Sequence, residues 1–180
     1  CPPSVFEQQI TYLIEAGYNV VSMEDLVSWL RQGASLPVNT VTITFDDGLE
    51  CFYRNALPVL KTHSCPATLF AVVDYISGTN EWMQSRGLPA RRLMTRDELR
   101  AALFAGIDIG CHSASHPRLT NLSDAELDDE VARARSQLAV ILGREVRYFA
   151  YPFGVFGDGE REAVIKAGYK AACSTLSGYN

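Results

Sequence analysis

Along this chain, short β-branched segments alternate with helical stripes, and that alternation limits the possible architectures more than any other feature. Tyr18–Val21, Val41–Phe45, Ala67–Val73, Ile107–Cys111, Val146–Ala150 and Tyr169–Ser174 read as strands. Ser4 reads as the N-cap of a helix with the stripe Phe6, Ile10, Leu13 and Ile14, ended by Gly17. Ser22 with Asp25, Thr95 with Glu98, and Ser123 with Glu126 have the spacing of capping boxes. In the first of these helices Leu26, Trp29 and Leu30 are expected inside and Gly33 at the stop. The second runs through Leu99–Phe104, and the third is the longest and ends at Gly143. Further helices are expected over Leu57–Thr62 and Glu160–Ala167. Strands separated by helices pair in parallel, because each crossover returns the chain to the edge where it started. The expectation is an α/β protein, and periodicity leaves open whether its sheet closes into a barrel.

At 180 residues the chain suits one domain, and 47% apolar against 21% charged residues allows a sizeable core. No apolar run approaches the roughly 18 residues that span a bilayer. A net charge of −5 argues against a nucleic-acid partner, which calls for a basic face. The cysteines Cys1, Cys51, Cys65, Cys111 and Cys173 are odd in number and widely spaced, with no Cys-x-x-Cys pair. They are expected as singly buried thiols rather than a disulfide framework or a zinc ribbon.

Three polar clusters occupy one position in this plan. Asp46-Asp47-Gly48 follows the strand Val41–Phe45, His112-Ser113-Ala114-Ser115-His116-Pro117 follows Ile107–Cys111, and Tyr151-Pro152-Phe153-Gly154 follows Val146–Ala150. In parallel α/β folds ligands bind at the carboxyl ends of the strands, so the three clusters are expected to converge. His63 precedes a strand and belongs to the opposite face. Histidines four apart share a side in a helical conformation, and a carboxylate from a neighbouring strand completes a two-His, one-carboxylate metal site. Zinc suits it, and Co2+, Ni2+ or Fe2+ would fit the same donors. On extended backbone Asp46 and Asp47 project to opposite sides, so one can bind the metal while the other takes a proton from the attacking water.

Thr44-Phe45-Asp46-Asp47-Gly48, His112-Ser113-Ala114-Ser115-His116 and Tyr151-Pro152-Phe153-Gly154, in that order and spacing, resemble the first three motifs of the polysaccharide deacetylases, the NodB-homology domain of carbohydrate esterase family four. The resemblance implies a distorted, incomplete (β/α) barrel over residues 1–180, lacking its first strand and its C-terminal end. It implies metal-dependent removal of N-acetyl groups from amino sugars of a polysaccharide or glycan intermediate. It gives Asp47, His112 and His116 as metal ligands, Asp46 as catalytic base, the Phe153 N–H as an oxyanion donor, and Ser115 as a support of the histidine loop. Tyr151, Pro152, Phe153 and Gly154 are then substrate-binding. Two features depart from the family pattern. Ala150 stands where the family often has an arginine paired with the base, and Arg147 faces the other side of the strand. The late Trp and Leu-x-His motifs are not found before Asn180.

The stretch from Asp74 to Leu93 leaves a strand on the catalytic face and is long for a connection. Tyr75 and Trp82 are expected to stack on sugar rings, with packing of the loop as the alternative for Trp82, and Arg86, Arg91 and Arg92 to contact acidic or phosphorylated neighbours. Two other functions fit part of the pattern. A glycan-binding domain could keep the metal without turnover, and an iron oxygenase could use the same three ligands.

Overall fold

The computed structural model describes residues 2–176, and of Ser85 and Arg86 the backbone only; Cys1 and the side chain of Arg86 lie outside the described residues. Helix α1 (Pro3–Glu15) precedes strand β1 (Asn19–Val20), helix α2 (Met23–Gln32) and strands β2 (Thr40–Val41) and β3 (Thr44–Phe45). A π turn, Phe52–Ala56, leads into α3 (Leu57–Thr62), followed by β4 (Thr68–Ala71), α4 (Arg96–Phe104) and β5 (Asp108–Cys111). Helices α5 (Asp124–Asp128) and α6 (Ala134–Leu142) are joined through a second π turn, Asp129–Arg133. Strand β6 (Tyr148–Ala150), α7 (Asp158–Lys166) and β7 (Ala171–Cys173) complete the order. Strands β3-β4-β5-β6-β7 form one parallel sheet in sequence order, curled as an incomplete barrel, and β1 pairs with β2 in a separate parallel ladder.

Four expected helix boundaries follow local chemistry. Ser22, Thr95 and Ser123 each cap a helix reciprocally with the acidic residue three positions on. Gly143 ends α6 in the left-handed conformation that costs glycine little. Helix α1 differs, because it starts at Pro3 behind Pro2, with Ser4 inside its first turn. The preset φ of proline favours that first position.

Both faces of the sheet are buried, so its strands alternate between two cores. Leu69, Ala71, Ile109, Cys111 and Phe149 meet residues of the outer helices, among them Leu60, Leu99 and Leu138. Phe70, Tyr148 and Ala150 face the other way, against Met23 and Val27 of α2. The α2 stripe is therefore rotated from the expected one. Leu26 is half-buried, while Trp29 and Leu30 are exposed, because α2 lies on the sheet along its Met23–Val27 edge alone. Glu24 fixes that docking at the amino ends of the strands: it accepts from Arg147 and from the Tyr148 hydroxyl (2.7 Å), and Arg147 also reaches Asp108 at 3.1 Å.

The expected strand Val41–Phe45 is divided. Its first half pairs with β1 and its second half with β4, since Val21 N–H donates to the Val41 carbonyl and Thr68 N–H to that of Ile43. A segment that changes partner in mid-course cannot be one straight strand. Among the cysteines, Cys65 and Cys111 are buried and Cys173 is half-buried, but Cys51 is exposed, contrary to expectation; all four are free thiols.

Gly110 sets the spacing at the centre of the sheet. A Cβ there would lie 2.5 Å from two ring carbons of Phe70 and 2.9 Å from the Tyr148 carbonyl oxygen. Gly110→Ala is expected to destabilise the chain by about 1–3 kcal/mol through overpacking. Urea denaturation of the two proteins checks this, with a lower midpoint and an unchanged slope as the expected result.

Candidate metal centre and active site

The carboxylates arrive on a tight turn. Beyond β3, Asp47 and Gly48 are both left-handed, with φ of 71° and 73°. The Gly48 carbonyl accepts from Met94 N–H and Glu50 N–H donates to the Arg92 carbonyl, both at 2.9 Å. Asp46 and Asp47 are thus parted by a turn rather than by extended backbone. Both remain close to the histidines, and the charge of Asp46 is felt by Asp47.

The histidines come on a bent loop, not on the helical turn that their spacing suggests. His112 N–H extends the ladder to the Ala71 carbonyl at 2.9 Å, and its Nδ1–H donates to the Ala150 carbonyl at 2.8 Å. That bond fixes the tautomer and leaves Nε2 as the donor atom, 3.8 Å from Asp47 Oδ1. Ser113 and His116 are both left-handed, and His116 N–H is held by Ser113 Oγ at 2.9 Å. His116 Nε2 then lies 3.5 Å from the same Asp47 oxygen.

One ligand atom from each of Asp47, His112 and His116 lies within 4.8 Å of the others. Ligands about 2.1 Å from a tetrahedral zinc stand about 3.4 Å apart. The 3.5 and 3.8 Å separations here are close to that edge, so the donor set fits a divalent metal. The electrostatics agree. Burial pushes His112 down to about 4, against the pull of the Ala150 carbonyl, so its imidazole is neutral, as a ligand must be. Burial and then the Asp46 charge push Asp47 up to about 6. Burial also raises Asp46, with His116 opposing. Two neighbouring carboxylates that are each disfavoured as anions are what a bound cation relieves.

Around this centre Trp82 stacks on His116, with ring centroids 5.0 Å apart and planes 17° from parallel, and Tyr75 tilts against Trp82 at 5.1 Å. Their loop is closed by the Thr79–Arg92 bridge and by Arg91 N–H on Asn80 Oδ1 (2.6 Å). Phe153, left-handed at φ 61°, meets the edge of His116 at 4.8 Å, and Arg118 lies over its ring. In the rest of that cluster the buried Tyr151 ring packs against Phe156 and Phe149, and Pro152 and Gly154 are buried. Arg147 is occupied with Glu24 and Asp108 at the opposite end of the sheet, and His63 sits at the end of α3 on that side.

Sequence reasoning missed Glu130. Its carboxylate accepts from Ala114 N–H and Ser115 N–H, each at 2.9 Å, and from Ser115 Oγ at 2.6 Å. A signal was present: Glu130 stands three after Leu127 and four before Ala134, on the buried stripe of its helix. A charge at such a position needs a partner.

Comparison with known proteins bears on all three clusters. A family model described as polysaccharide deacetylase matches residues 33–172. Poly-beta-1,6-N-acetyl-D-glucosamine N-deacetylase of Staphylococcus aureus (strain MSSA476) is 24% identical over 176 residues, covering 93% of this chain and 58% of that protein. The chain thus spans less than two thirds of that relative's length. Streptococcus pyogenes deacetylase PplD in complex with acetate superposes with a TM-score of 0.83 at 24% identity, over 98% of this chain and 74% of that one. IcaB from Ammonifex degensii gives 0.83 at 24% identity, over 93% and 73%. These structural likenesses establish the shared fold. Because the family match runs unbroken through the aspartate turn, the histidine loop and the Tyr151 turn, the chain belongs to the polysaccharide deacetylase family.

Proposed function

We propose that the chain is a metal-dependent N-deacetylase acting on an N-acetylated amino-sugar polymer. The observation that carries this reading is the convergence of Asp47, His112 and His116 ligand atoms within 4.8 Å, with Asp46 alongside, in a polysaccharide deacetylase fold. Those three residues would hold one divalent ion. Zinc suits two imidazoles and a carboxylate, and cobalt, nickel or ferrous iron would suit them too. When bound, such an ion supplies Lewis acidity toward water and toward a carbonyl oxygen.

The chain's own groups do the rest. Asp46 is the general base: it takes a proton from the water that adds to the acetyl carbonyl carbon, and burial raises its basicity for that task. The Phe153 N–H, on its left-handed turn, is the proposed donor to the developing oxyanion. As the carbon–nitrogen bond breaks, the departing amine needs a proton, and Asp46 holds one to return. Trp82 and Phe153 flank His116 on two sides and hold its ring in place.

Given β-1,6-linked N-acetylglucosamine oligomers, the chain is expected to release acetate, to stop when metal is stripped by a chelator, and to resume on adding Zn2+. Glycan retention without acetate release would favour a binding module instead. Two substitutions divide the roles. His116→Ala is expected to lose stoichiometric Zn2+ by elemental analysis. Asp46→Asn is expected to keep Zn2+ while kcat falls by about 10²–10⁴-fold, the usual worth of general base help. Full activity in that variant would remove Asp46 from the base role.

A further inference from the structure

We infer that Glu130, through the π turn that presents it, is a positioning residue for the histidine loop and sets where His116 stands relative to Asp47. The inference rests on the proposed metal site for its functional meaning, but its structural content is independent of any ion.

The loop is unfavourable on its own. Ser113 and His116, three apart, both have positive φ (66° and 64°), a conformation uncommon for any residue but glycine, though histidine tolerates it better than serine. Such geometry persists only where the surroundings over-determine it. Here the two residues between them are held by one carboxylate. Glu130 Oε2 accepts from the Ala114 and Ser115 amides, and Oε1 from the Ser115 hydroxyl. The main chain of Glu130 adds a contact, with Ala114 N–H 3.1 Å from its carbonyl oxygen. Glu130 is itself buried, so these bonds form where water competes poorly.

The helix is shaped to deliver it. Asp129–Arg133 is a π turn within a helix that is otherwise α on both sides. Isolated π turns of this kind are frequent at functional sites. The same turn aims Arg133 at Asp74 in a two-pronged ion pair, 2.9 Å at each contact, and Asp74 N–H in turn donates to the Ala114 carbonyl. Tyr169 hydroxyl donates to the Val131 carbonyl within the turn at 3.1 Å. The loop that carries His116 is therefore clamped from the helix side directly by Glu130 and from the β4 side through Asp74. Neither residue reaches the ligand atoms.

The test compares Glu130→Ala, Glu130→Gln and Ser115→Ala in the full chain, each checked for folding by circular dichroism. Amide hydrogen exchange of residues 113–116 in metal-free protein reads the loop itself. Zn2+ affinity by chelator competition reads its consequence. Glu130→Ala is expected to speed exchange at Ala114 and Ser115 and to weaken Zn2+ binding 10–100-fold, the usual effect of losing a group that orients a ligand. Glu130→Gln keeps an acceptor for both amides and is expected to restore affinity to within a few-fold of wild type. Ser115→Ala, which loses one bond of three, covers the case in which Glu130→Ala does not fold, and is expected to fall between them. Wild-type exchange and affinity in a folded Glu130→Ala protein, with a lowered melting temperature alone, would overturn the inference. If wild-type protein bound no Zn2+, the metal reading would fall, and exchange at residues 113–116 would still decide the role of Glu130.

Discussion

The site depends on one constraint of parallel sheets: all strands end on the same edge, yet the strands that carry the chemistry are not neighbours. β3 and β5 both flank β4, so the aspartate turn and the histidine loop start about two strand spacings apart, on the order of 10 Å. The gap is closed from both sides above the end of β4, which pairs with β3 as far as Leu69 and with β5 as far as Ala71. β4 ends at Ala71 and the chain turns away through Val73–Tyr75. Over that end, left-handed Asp47 turns from one side while the histidine loop leans from the other, its Ser113 and Ala114 carbonyls accepting the amides of Val73 and Asp74.

This explains where backbone strain is stored. Asp47, Ser113, His116 and Phe153, all at the site, are among the non-glycine residues with positive φ. Each such residue costs of order 1–3 kcal/mol, a large share of the 5–15 kcal/mol by which a domain is usually stable. The sheet supplies the compensation through its two buried cores, and the loops supply it locally through bonds such as His112 to the Ala150 carbonyl. Strand ends are rigid points from which short, strained turns can aim side chains, and longer relaxed loops would aim them less well.

Much of this was legible in the sequence, for identifiable reasons. Strand and helix order follows from periodicity and capping, and the three polar clusters declare themselves by their place after strands. What the sequence concealed depends on tertiary partners. The break at residues 42–43 arises because two ladders compete for one segment. The rotation of α2 reflects which edge meets Phe70 and Tyr148. The Tyr151 ring packs in the core beside Phe156, since alternation along the chain sends it inward. Trp82 covers His116 because its loop is stitched closed at Thr79–Arg92, a pairing between distant residues that no local pattern records. Glu130 alone gave a local sign, a carboxylate on an apolar stripe.

The π turn between α5 and α6 also says something about how this helix can change over evolutionary time. Such a turn is one residue more than an α-helix needs, and each α-helical residue advances the side chains by about 100°. The residues before it present Leu127 to the core, and those after it bury Leu138 and Leu142. Deleting one residue would regularise the backbone and put the two halves out of phase. Either the buried leucines or the carboxylate and guanidinium of Glu130 and Arg133 would lose their targets. Substitutions on its outer face, where Val140 is 80% exposed, are cheap, whereas its length is fixed by two demands at once.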